Sequence, residues 1–450
     1  MTNLMGGSPR GRLQVNVTEV IDSSSFNAFS MKVALICFLA IVFDGLDSAL
    51  FGTILPAIMA DMKMGPAEAG LLGSVGHIGA VIGAAVFGIA ADAIGRKKMM
   101  IIGMTIFIIF SAACGLTQGV VDFAIYRLIA GFGLAGIVPI AVALVFEYTP
   151  LKWKSTISSV SYTGISVGVL LSALVSILLL SSVGWRTIML GTIIGIVLVP
   201  VAIRHLPESM TTLVNMNKNE SIREVLKKVD TQFVTNEDQE YILKEAPTAK
   251  VPLKTLFQDG YAGNTLFLGI GMLSIMMITV TLTTWIAQLM VQRGYSLTMG
   301  ITFILVFTGS NFISTPLAGW LSGRIGYKKV FSIYMPILFI SISLIGVIQN
   351  LTGALICMFF AGFSAMGATC ILLPYVGSLY PMNFRSSAMG VIYAIGRVGP
   401  IIGPALAGFM LAAEISVPAV LVSIAAPSVV AMIAFLQVKE PPLHSVNRNG

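Results

Sequence analysis

The chain has 450 residues, of which 56% are hydrophobic and only 10% charged, and its formal net charge is +7. Soluble domains carry roughly 25% charged residues because they need a wet surface, so this composition excludes a water-soluble globule of this size. Lipid must be the solvent for most of the chain.

Apolar stretches long enough to cross a bilayer, about 20 residues each, recur along the chain. Lipid offers backbone polar groups no hydrogen-bond partner, so each stretch must be a helix. The two-residue alternation of a membrane barrel is missing. Twelve spans are predicted, near residues 33–58, 68–92, 98–117, 121–147, 155–181, 186–204, 263–291, 297–323, 328–348, 352–378, 385–411 and 416–436.

The basic residues of the short loops are distributed unequally between the two sides. One side holds Arg96, Lys97, Lys98, Lys152, Lys154, Arg324, Lys328, Lys329 and Arg385. The other side holds only Lys63, Arg186 and Arg293. This is the positive-inside bias, and it places both termini in the cytoplasm. The net charge therefore requires no nucleic-acid partner.

No sequence feature indicates a cofactor, a metal or a catalytic centre. Four cysteines lie in apolar spans without metal-type spacing and are interpreted as small hydrophobic residues; they are Cys37, Cys114, Cys357 and Cys370. Gly131–Gly136 satisfies the dinucleotide pattern G-x-G-x-x-G, but it lies inside a span and follows no strand. Close helix packing explains it better. The first thirty residues lack the apolar core of a cleavable signal.

One long polar stretch separates two sets of six spans. The predicted organisation is a cytoplasmic tail (1–30), a six-helix bundle (31–204), a cytoplasmic linker (205–262), a second six-helix bundle (263–437) and a cytoplasmic tail (438–450). Residues 222–229 of the linker are predicted to form a short surface helix. A docking site in the linker is the alternative to a plain tether.

The two halves repeat each other at one constant offset. Matching positions include Gly131 and Gly362, Pro150 and Pro381, Lys154 and Arg385, and Gly168 and Gly399. The repeat predicts two pseudo-symmetric six-helix bundles, and parallel repeats of this kind place a substrate site at their interface near the bilayer midplane.

Four charged residues of the spans have no counterpart in the other half: Asp44, Asp47, Arg127 and Arg397. A charge at mid-span costs about 2.5–3.5 kcal/mol on insertion scales, so the four would together cost roughly 10 kcal/mol if they were unpaired. We expect them to be paired, hydrated or neutralised. The shared scaffold is duplicated and these charges are not, which indicates a role in substrate or ion binding.

The aspartates of span 1 are the candidates for carrying a proton. Asp44 and Asp47 are three residues apart and share a helix face. Two neighbouring carboxylates in a low-dielectric site cannot both ionise cheaply, which favours a proton on one of them. Arg127 enters span 4 at a comparable depth and could pair with Asp47 when the proton leaves. The alternative is a salt-bridged packing pair.

Arg397 is the candidate for binding an anionic substrate. It lies halfway along span 11 between Gly396 and Gly399, without an obvious acidic partner among the second-half spans. An ion pair across the two halves is the alternative. Further candidate substrate-binding residues are Arg127, His77, Tyr162, Trp285, Tyr375 and Tyr393. His77 could equally be a packing residue or a proton relay, and aromatic residues are ordinary in membrane helices.

The loop between spans 2 and 3 resembles the signature loop of the major facilitator superfamily. It reads Gly88-Ile-Ala-Ala-Asp92-Ala-Ile-Gly95-Arg96-Lys97-Lys98, and Arg127-Leu-Ile-Ala-Gly131-Phe-Gly133 resembles the family's span-4 motif. The resemblance implies a gating role for a set of residues: Gly88, Asp92, Gly95, Arg96, Arg324 and Arg385. The second-half loop departs from the family pattern, because Gly323 stands where many members have an acid.

Asp44-Gly45-Leu46-Asp47, with Leu206-Pro207-Glu208-Ser209 after span 6, resembles the aromatic acid:proton symporter subfamily. The resemblance implies that Asp44, Asp47, Arg127, Glu147, Arg385 and Arg397 matter for transport. It also implies a proton-coupled importer of a small aromatic carboxylate, such as a benzoate or hydroxybenzoate, in the bacterial inner membrane.

Other functions are compatible with the same fold. Within transporters, the alternatives are a symporter for another small organic anion or for a sugar-like solute. A substrate-gated sensor is a further alternative, although the chain has no large extra cytoplasmic domain. A membrane enzyme is disfavoured because the chain lacks a catalytic constellation.

The distribution of basic residues generates a topology prediction. Single cysteines at positions 97, 220 and 328, introduced into a cysteine-free background, should be shielded from impermeant thiol reagents added outside intact cells. Labelling of position 220 from outside would contradict the predicted orientation.

Overall fold

The structure is a computed structural model of the whole chain. It describes residues 5–7, 13–230, 239–243, 256–257, 261–380 and 385–439, without the side chains of residues 5–7, 13, 92 and 386.

Long helices make up the first half of the chain. Spans 1 to 3 are Ala28–Asp61, Pro66–Ile94 and Arg96–Ala113, the last extended by a 3-10 turn at Cys114–Leu116. Span 4 consists of Val120–Leu134 and Ile137–Tyr148. Spans 5 and 6 occupy Leu151–Tyr162, Gly164–Gly191, the 3-10 segment Thr192–Val197 and Leu198–His205.

The second half has the same construction. Span 7 is Tyr261–Gln292, and span 8 consists of Leu297–Gly309 and Asn311–Ile325. Spans 9 and 10 are Tyr327–Ile345 and Leu351–Leu379. Span 11 consists of Arg385–Gly396 and Gly399–Ala412, and span 12 of Val417–Ala425 and Pro427–Gln437.

Gly184 divides one continuous helical stretch into spans 5 and 6. Within the described residues, 11 stretches are long and apolar enough to cross a membrane, and one of them, Leu151–His205, has 55 residues. Gly184 interrupts it with φ 77° and ψ 163°, a conformation that is essentially restricted to glycine. The chain reverses there, so the stretch counts as two spans, in agreement with the twelve that were predicted.

The chain divides into two compact units according to the density of internal contacts. Unit 1 comprises Met1–Ser48, Ile78–Leu171 and Arg186–Ala246, and unit 2 comprises Ala49–His77, Ser172–Trp185 and Pro247–Gly450. Spans 1, 2 and 5 are therefore each divided, and their second-unit portions pack with spans 7 to 12. The predicted bundle limits, 31–204 and 263–437, divide the spans by their order along the chain and not by contacts. They stay a prediction.

Unit 1 includes a small folded element built from the N-terminal segment and the linker. Strands β1 (Met5–Gly7) and β2 (Leu13–Asn16) are antiparallel, and β2 pairs in parallel with β3 (Glu240–Ile242). Three helices accompany them: Val17–Ser23, Met210–Asn215 and Asn219–Val229. The last covers the segment 222–229 for which a helix was predicted. The three short strands are an addition to the predicted all-α fold.

Apolar spacing explains why this element folds. The linker helix buries Ile222, Val225, Leu226 and Val229, which form one face at helical spacing. They belong to the same buried cluster as residues of the N-terminal helix, Val17, Val20 and Ile21. The segment predicted as a polar tail therefore carries its own apolar stripe.

Two arginines cap helix ends in loops that the sequence predicts to lie on the side of the membrane opposite the termini, here called the far side. Arg186 Nη1 donates to the Thr117 carbonyl after span 3. Arg293 Nη1 donates to the Ile345 carbonyl, and its Nη2 lies 2.8 Å from the Ile348 carbonyl oxygen after span 9. Cations are favourable at the carbonyl ends of helices. These two exceptions to the predicted cytoplasmic concentration of basic residues thus have a structural role.

The turn at Gly184 generates a stability prediction. Gly184→Ala should lower the free energy of unfolding by about 1–3 kcal/mol, because alanine is strained at this φ and ψ. A β-carbon at Gly184 would meet no neighbour within 4 Å, so the loss would report backbone strain and not a clash. Thermal unfolding of the purified protein in detergent measures the effect.

Gly191→Ala is the matched control for this prediction. A β-carbon at Gly191 also meets no neighbour within 4 Å, but the backbone there is helical, with φ −60° and ψ −23°. This variant should be neutral or slightly stabilising. Equal losses in the two variants would contradict the assignment of Gly184 as the reversal point.

Candidate functional site

A buried ion pair joins spans 1 and 4 inside unit 1. Arg127 Nη1 lies 2.9 Å from Asp47 Oδ2, and the two residues are only 9% and 3% exposed. Ser111 on span 3 is fully buried and donates its hydroxyl to the other carboxylate oxygen, Oδ1. The Asp47 carboxylate therefore accepts a hydrogen bond from a cation on one oxygen and from a neutral hydroxyl on the other.

Asp44 has different surroundings from Asp47. It lies one turn earlier on span 1 and is half-buried, whereas Asp47 is buried. The two predicted proton carriers are thus unequal in the structure. Asp47 is the one whose ion pair with Arg127 is buried at 2.9 Å.

A second network lies next to the linker, where span 3 begins and span 4 ends. Arg96 Nη1 is 2.5 Å from Glu147 Oε1 at the end of span 4. The same oxygen accepts hydrogen bonds from the Ser209 and Thr211 hydroxyls at 3.0 and 2.9 Å, and Oε2 accepts one from the Met210 backbone at 3.1 Å. Glu147 therefore ties the signature loop to the start of the linker. Its predicted part in proton coupling stays a prediction.

Glu208 completes this network and was not among the predicted site residues. Its Oε1 accepts hydrogen bonds from the backbone amides of Lys97 and Ser209, both at 2.9 Å. Its carbonyl accepts the Tyr148 hydroxyl. In the sequence, Glu208 belongs to the Leu206-Pro207-Glu208-Ser209 segment. That segment was interpreted only as a subfamily resemblance, and no hydrogen bond to the signature loop was predicted from it.

The remaining predicted gating residues have varied environments. Gly88 is exposed, Gly95 is buried at the turn between spans 2 and 3, and the Asp92 side chain lies outside the described part. Arg324 is exposed and stacks on Trp320, with Cζ 4.1 Å from the ring centroid. Arg385 Nε donates to the Tyr380 carbonyl at 3.3 Å.

Arg397 lies at a break in span 11, inside unit 2. It occupies the turn between the helices Arg385–Gly396 and Gly399–Ala412 and is half-buried. Its guanidinium stacks on Tyr393, with Cζ 5.4 Å from the ring centroid. The flanking Gly396 and Gly399 face span 7, where added β-carbons would lie 2.5 Å from Met272 and 2.3 Å from the Leu273 oxygen. The helical spacing therefore turns Arg397 away from span 7.

Two of the predicted aromatic ligands are used in helix packing. Trp285 is fully buried and donates its indole N–H to the Pro404 carbonyl at 3.0 Å. Tyr375 is buried with its ring 5.0 Å from that of Phe435 and 5.5 Å from that of Tyr327. Such contacts are typical of a helix core.

The other predicted ligands are more accessible. Tyr393 and His77 are half-buried, and Tyr162 is exposed. Within the part of the chain that the structure describes, no group of three His, Cys, Asp or Glu side chains could hold a metal ion.

Comparison with known proteins gives consistent results along the whole chain. The model of the Major Facilitator Superfamily matches residues 37–314 and 303–450. The benzoate transport protein of Acinetobacter baylyi is 30% identical over 424 residues, which cover 91% of each protein. The gallate transporter of Pseudomonas putida is 28% identical, with 94% of each protein covered. These relatives confirm the resemblance to the aromatic acid subfamily.

A solved structure supports the fold independently of close sequence similarity. A bacterial homologue of the human lysosomal transporter Spinster, in an inward-facing and occupied conformation, superposes with a TM-score of 0.75. Its identity is only 14%, and 92% of this chain and 97% of that chain are covered. The predicted fold is confirmed, and the matched proteins are transporters and not enzymes. This multi-pass membrane protein belongs to the major facilitator superfamily.

Proposed function

We propose that the protein is a proton-coupled symporter that imports a small aromatic carboxylate by alternating access. The observation that carries the proposal is the buried Asp47–Arg127 pair on spans 1 and 4. The similarity to proteins named as benzoate and gallate transporters supports the class of substrate. The helices of membrane-spanning length and the bacterial relatives support a location in the bacterial inner membrane. The bias of basic residues supports an orientation with both termini in the cytoplasm.

Charge balance explains how such a pair couples a proton to an anion. Asp47 and Arg127 together are neutral, so they are compatible with a low-dielectric site. A proton on Asp47 alone leaves the Arg127 cation uncompensated, and an uncompensated charge at mid-membrane costs about 2.5–3.5 kcal/mol or more. A substrate carboxylate that enters with the proton leaves the net charge of the transport path unchanged. Proton and anion therefore bind more favourably together than either does alone.

Arg397 is the proposed anchor for the substrate carboxylate. Arg127 is engaged with Asp47 in this conformation, whereas Arg397 lies at a helix break with an aromatic ring beside its guanidinium. A planar guanidinium can hold a carboxylate with two parallel hydrogen bonds. Tyr393 adds an aromatic surface at the same place, which suits an aromatic acid.

Alternating access requires that one side of the transport path close tightly, and the far portions of spans 1 and 2 have the packing for this. Within unit 2, a β-carbon at Gly52 of span 1 would lie 2.2 Å from the Thr283 oxygen of span 7. One at Gly70 of span 2 would lie 2.6 Å from the Pro404 oxygen of span 11. Backbones in direct contact of this kind need small residues.

Symport of another organic anion or of a sugar-like solute is the rival within the same class. A sugar carries no charge, so it would gain nothing from the guanidinium of Arg397. The binding experiment on Arg397 below therefore separates these substrates. The sensor alternative predicts binding without uphill accumulation.

The coupling role of Asp47 is tested by an uptake experiment. In proteoliposomes with an inward-directed proton gradient, Asp47→Asn should lose uphill accumulation of radiolabelled benzoate, because the amide cannot exchange a proton. Exchange of benzoate across the membrane should persist in part.

Asp122→Asn is the matched control for this experiment. Asp122 lies at the start of span 4 and accepts hydrogen bonds from the backbone amides of Gln118 and Gly119, at 2.8 and 2.9 Å. An asparagine oxygen can accept one of these bonds, so accumulation should be retained. If Asp47→Asn still concentrates benzoate, protons are carried elsewhere, and His77 or Glu147 is the next candidate.

The anchoring role of Arg397 is tested by equilibrium binding to the purified protein. Arg397→Lys should bind benzoate roughly 10- to 150-fold more weakly, since a lost charge-assisted contact costs about 1.5–3 kcal/mol and an ammonium cannot reproduce the planar fork. Arg397→Gln should bind more weakly still.

Two controls accompany the binding measurement by calorimetry. Arg324→Lys changes an arginine that also stacks on an aromatic ring four residues earlier, and it should bind benzoate normally. Benzamide, the neutral analogue, should lose little affinity between the wild type and Arg397→Gln. Wild-type benzoate binding by both Arg397 variants would transfer the anchoring role to Arg127.

A further inference from the structure

We infer that Ser111 is a positioning residue for proton coupling, with a hydroxyl that reverses its hydrogen bond when Asp47 takes up or releases a proton. The inference rests on the proposed symport. Ser111 lies on span 3, outside the two motifs of spans 1 and 4 that suggested coupling, and Arg96, at the opposite end of that helix, was predicted for gating and not for coupling.

The geometry determines which oxygen of Asp47 receives the proton. Oδ2 faces the Arg127 cation at 2.9 Å, and a proton placed there would be repelled by that charge. Oδ1 faces the neutral hydroxyl of Ser111. The proton from the aqueous phase therefore forms its O–H bond on Oδ1.

A protonated Oδ1 becomes a hydrogen-bond donor, so its partner must become an acceptor. A serine hydroxyl can do both, because it has one proton and two lone pairs. The Ser111 proton then needs another acceptor, and helical serines and threonines can donate to the carbonyl four residues earlier. For Ser111 this is the carbonyl of Phe107. Thr105 on the same helix already makes such a bond, 2.8 Å from the Ile101 oxygen.

The hydroxyl therefore satisfies both protonation states in a fully buried position. In the ionised state it donates to Oδ1, and in the protonated state it accepts from Oδ1 and donates to its own helix. No covalent bond other than the O–H on Asp47 forms or breaks, and the proton leaves by the reverse sequence. A buried polar group without a partner in either state would cost free energy, and this arrangement avoids that cost.

The other titratable and charged groups around Asp47 do not provide this function. On span 1 and the two spans that contact Asp47, these are Asp44, the Cys114 thiol of span 3, and Asp122, Tyr126 and Arg127 of span 4. The Cys114 thiol donates to the Phe110 carbonyl at 3.3 Å, away from the carboxylate. Ser111 is the neutral hydroxyl on Oδ1.

The experiment is a substitution series at Ser111, read as the pH dependence of benzoate exchange in proteoliposomes. Ser111→Ala removes a hydrogen bond from both protonation states of Asp47, and the bond to the ionised carboxylate is the stronger one because its acceptor is charged. The pH of half-maximal exchange should therefore rise by about one unit, the shift that corresponds to one hydrogen bond of ordinary strength. Ser111→Cys, with a weak donor, should be intermediate, and Ser111→Thr should resemble the wild type.

The order of the variants separates this role from simple packing. A packing role would make Ser111→Thr the most harmful change, because it adds a methyl group to a filled site, and would leave the pH of half-maximal exchange in place. Ser428→Ala is the matched control. It removes another fully buried hydroxyl, 2.7 Å from the Ala425 oxygen, far along the chain on span 12, and should shift nothing.

A double variant tests whether Ser111 acts through Asp47. In an Asp47→Asn background, Ser111→Ala should cause no further change in the pH profile. If Asp47→Asn abolishes uphill accumulation but Ser111→Ala leaves the pH of half-maximal exchange unchanged, the inference about Ser111 is overturned and the symport proposal stands. If the wild-type protein does not accumulate benzoate under an inward-directed proton gradient, it is the symport proposal that fails.

Discussion

The structure depends above all on one constraint, which is that the lipid interior supplies no hydrogen-bond partner to a polar group. Every long apolar segment must therefore be helical, and the polar groups inside it must find partners within the protein. Hydroxyls of the spans donate back to carbonyls of their own helix, as Thr149 does to Val145 and Ser322 to Ala318. At the far side, where helices end, Arg186 and Arg293 supply the donors for exposed carbonyls.

The same constraint applies to charge and explains the buried ion pair of unit 1. A lone carboxylate at the depth of Asp47 would be expensive, and the neutral pair with Arg127 removes most of that cost. The pair is also a device that can be switched, because one proton converts it from neutral to cationic. The arrangement that makes the helix bundle possible is therefore the one that can couple a proton to an anion.

In the water-exposed parts of the chain, it is the apolar side chains that must be buried. The N-terminal helix and the linker helix bury their stripes against each other and against unit 1. Asn27 joins the element to span 1: its oxygen accepts from the backbone of Phe29 and Ser30, and its amide donates to the Lys228 and Val229 carbonyls. An ion pair of 2.5 Å between Lys154 and Asp22 adds a connection to span 5. The described beginning of the linker is thus part of unit 1.

The sequence by itself determined the membrane class, the number of spans and the family, because hydropathy and the signature loop are local properties that need no knowledge of packing. It also identified Asp47, Arg127 and Arg397, because a charge in an apolar span is conspicuous wherever it lies. It did not reveal Ser111 or Glu208, since a serine in a helix and a glutamate beside a proline carry no signal until their neighbours are known. Trp285 and Tyr375 show the reverse case: an aromatic residue in a span fits both a ligand site and a core, and only the packing of spans 7, 10, 11 and 12 buried them in the core. The tertiary structure alone decided which polar residues contact one another. Contacts between helices depend on the direction of side chains and on distances across the bundle, and a linear pattern contains neither.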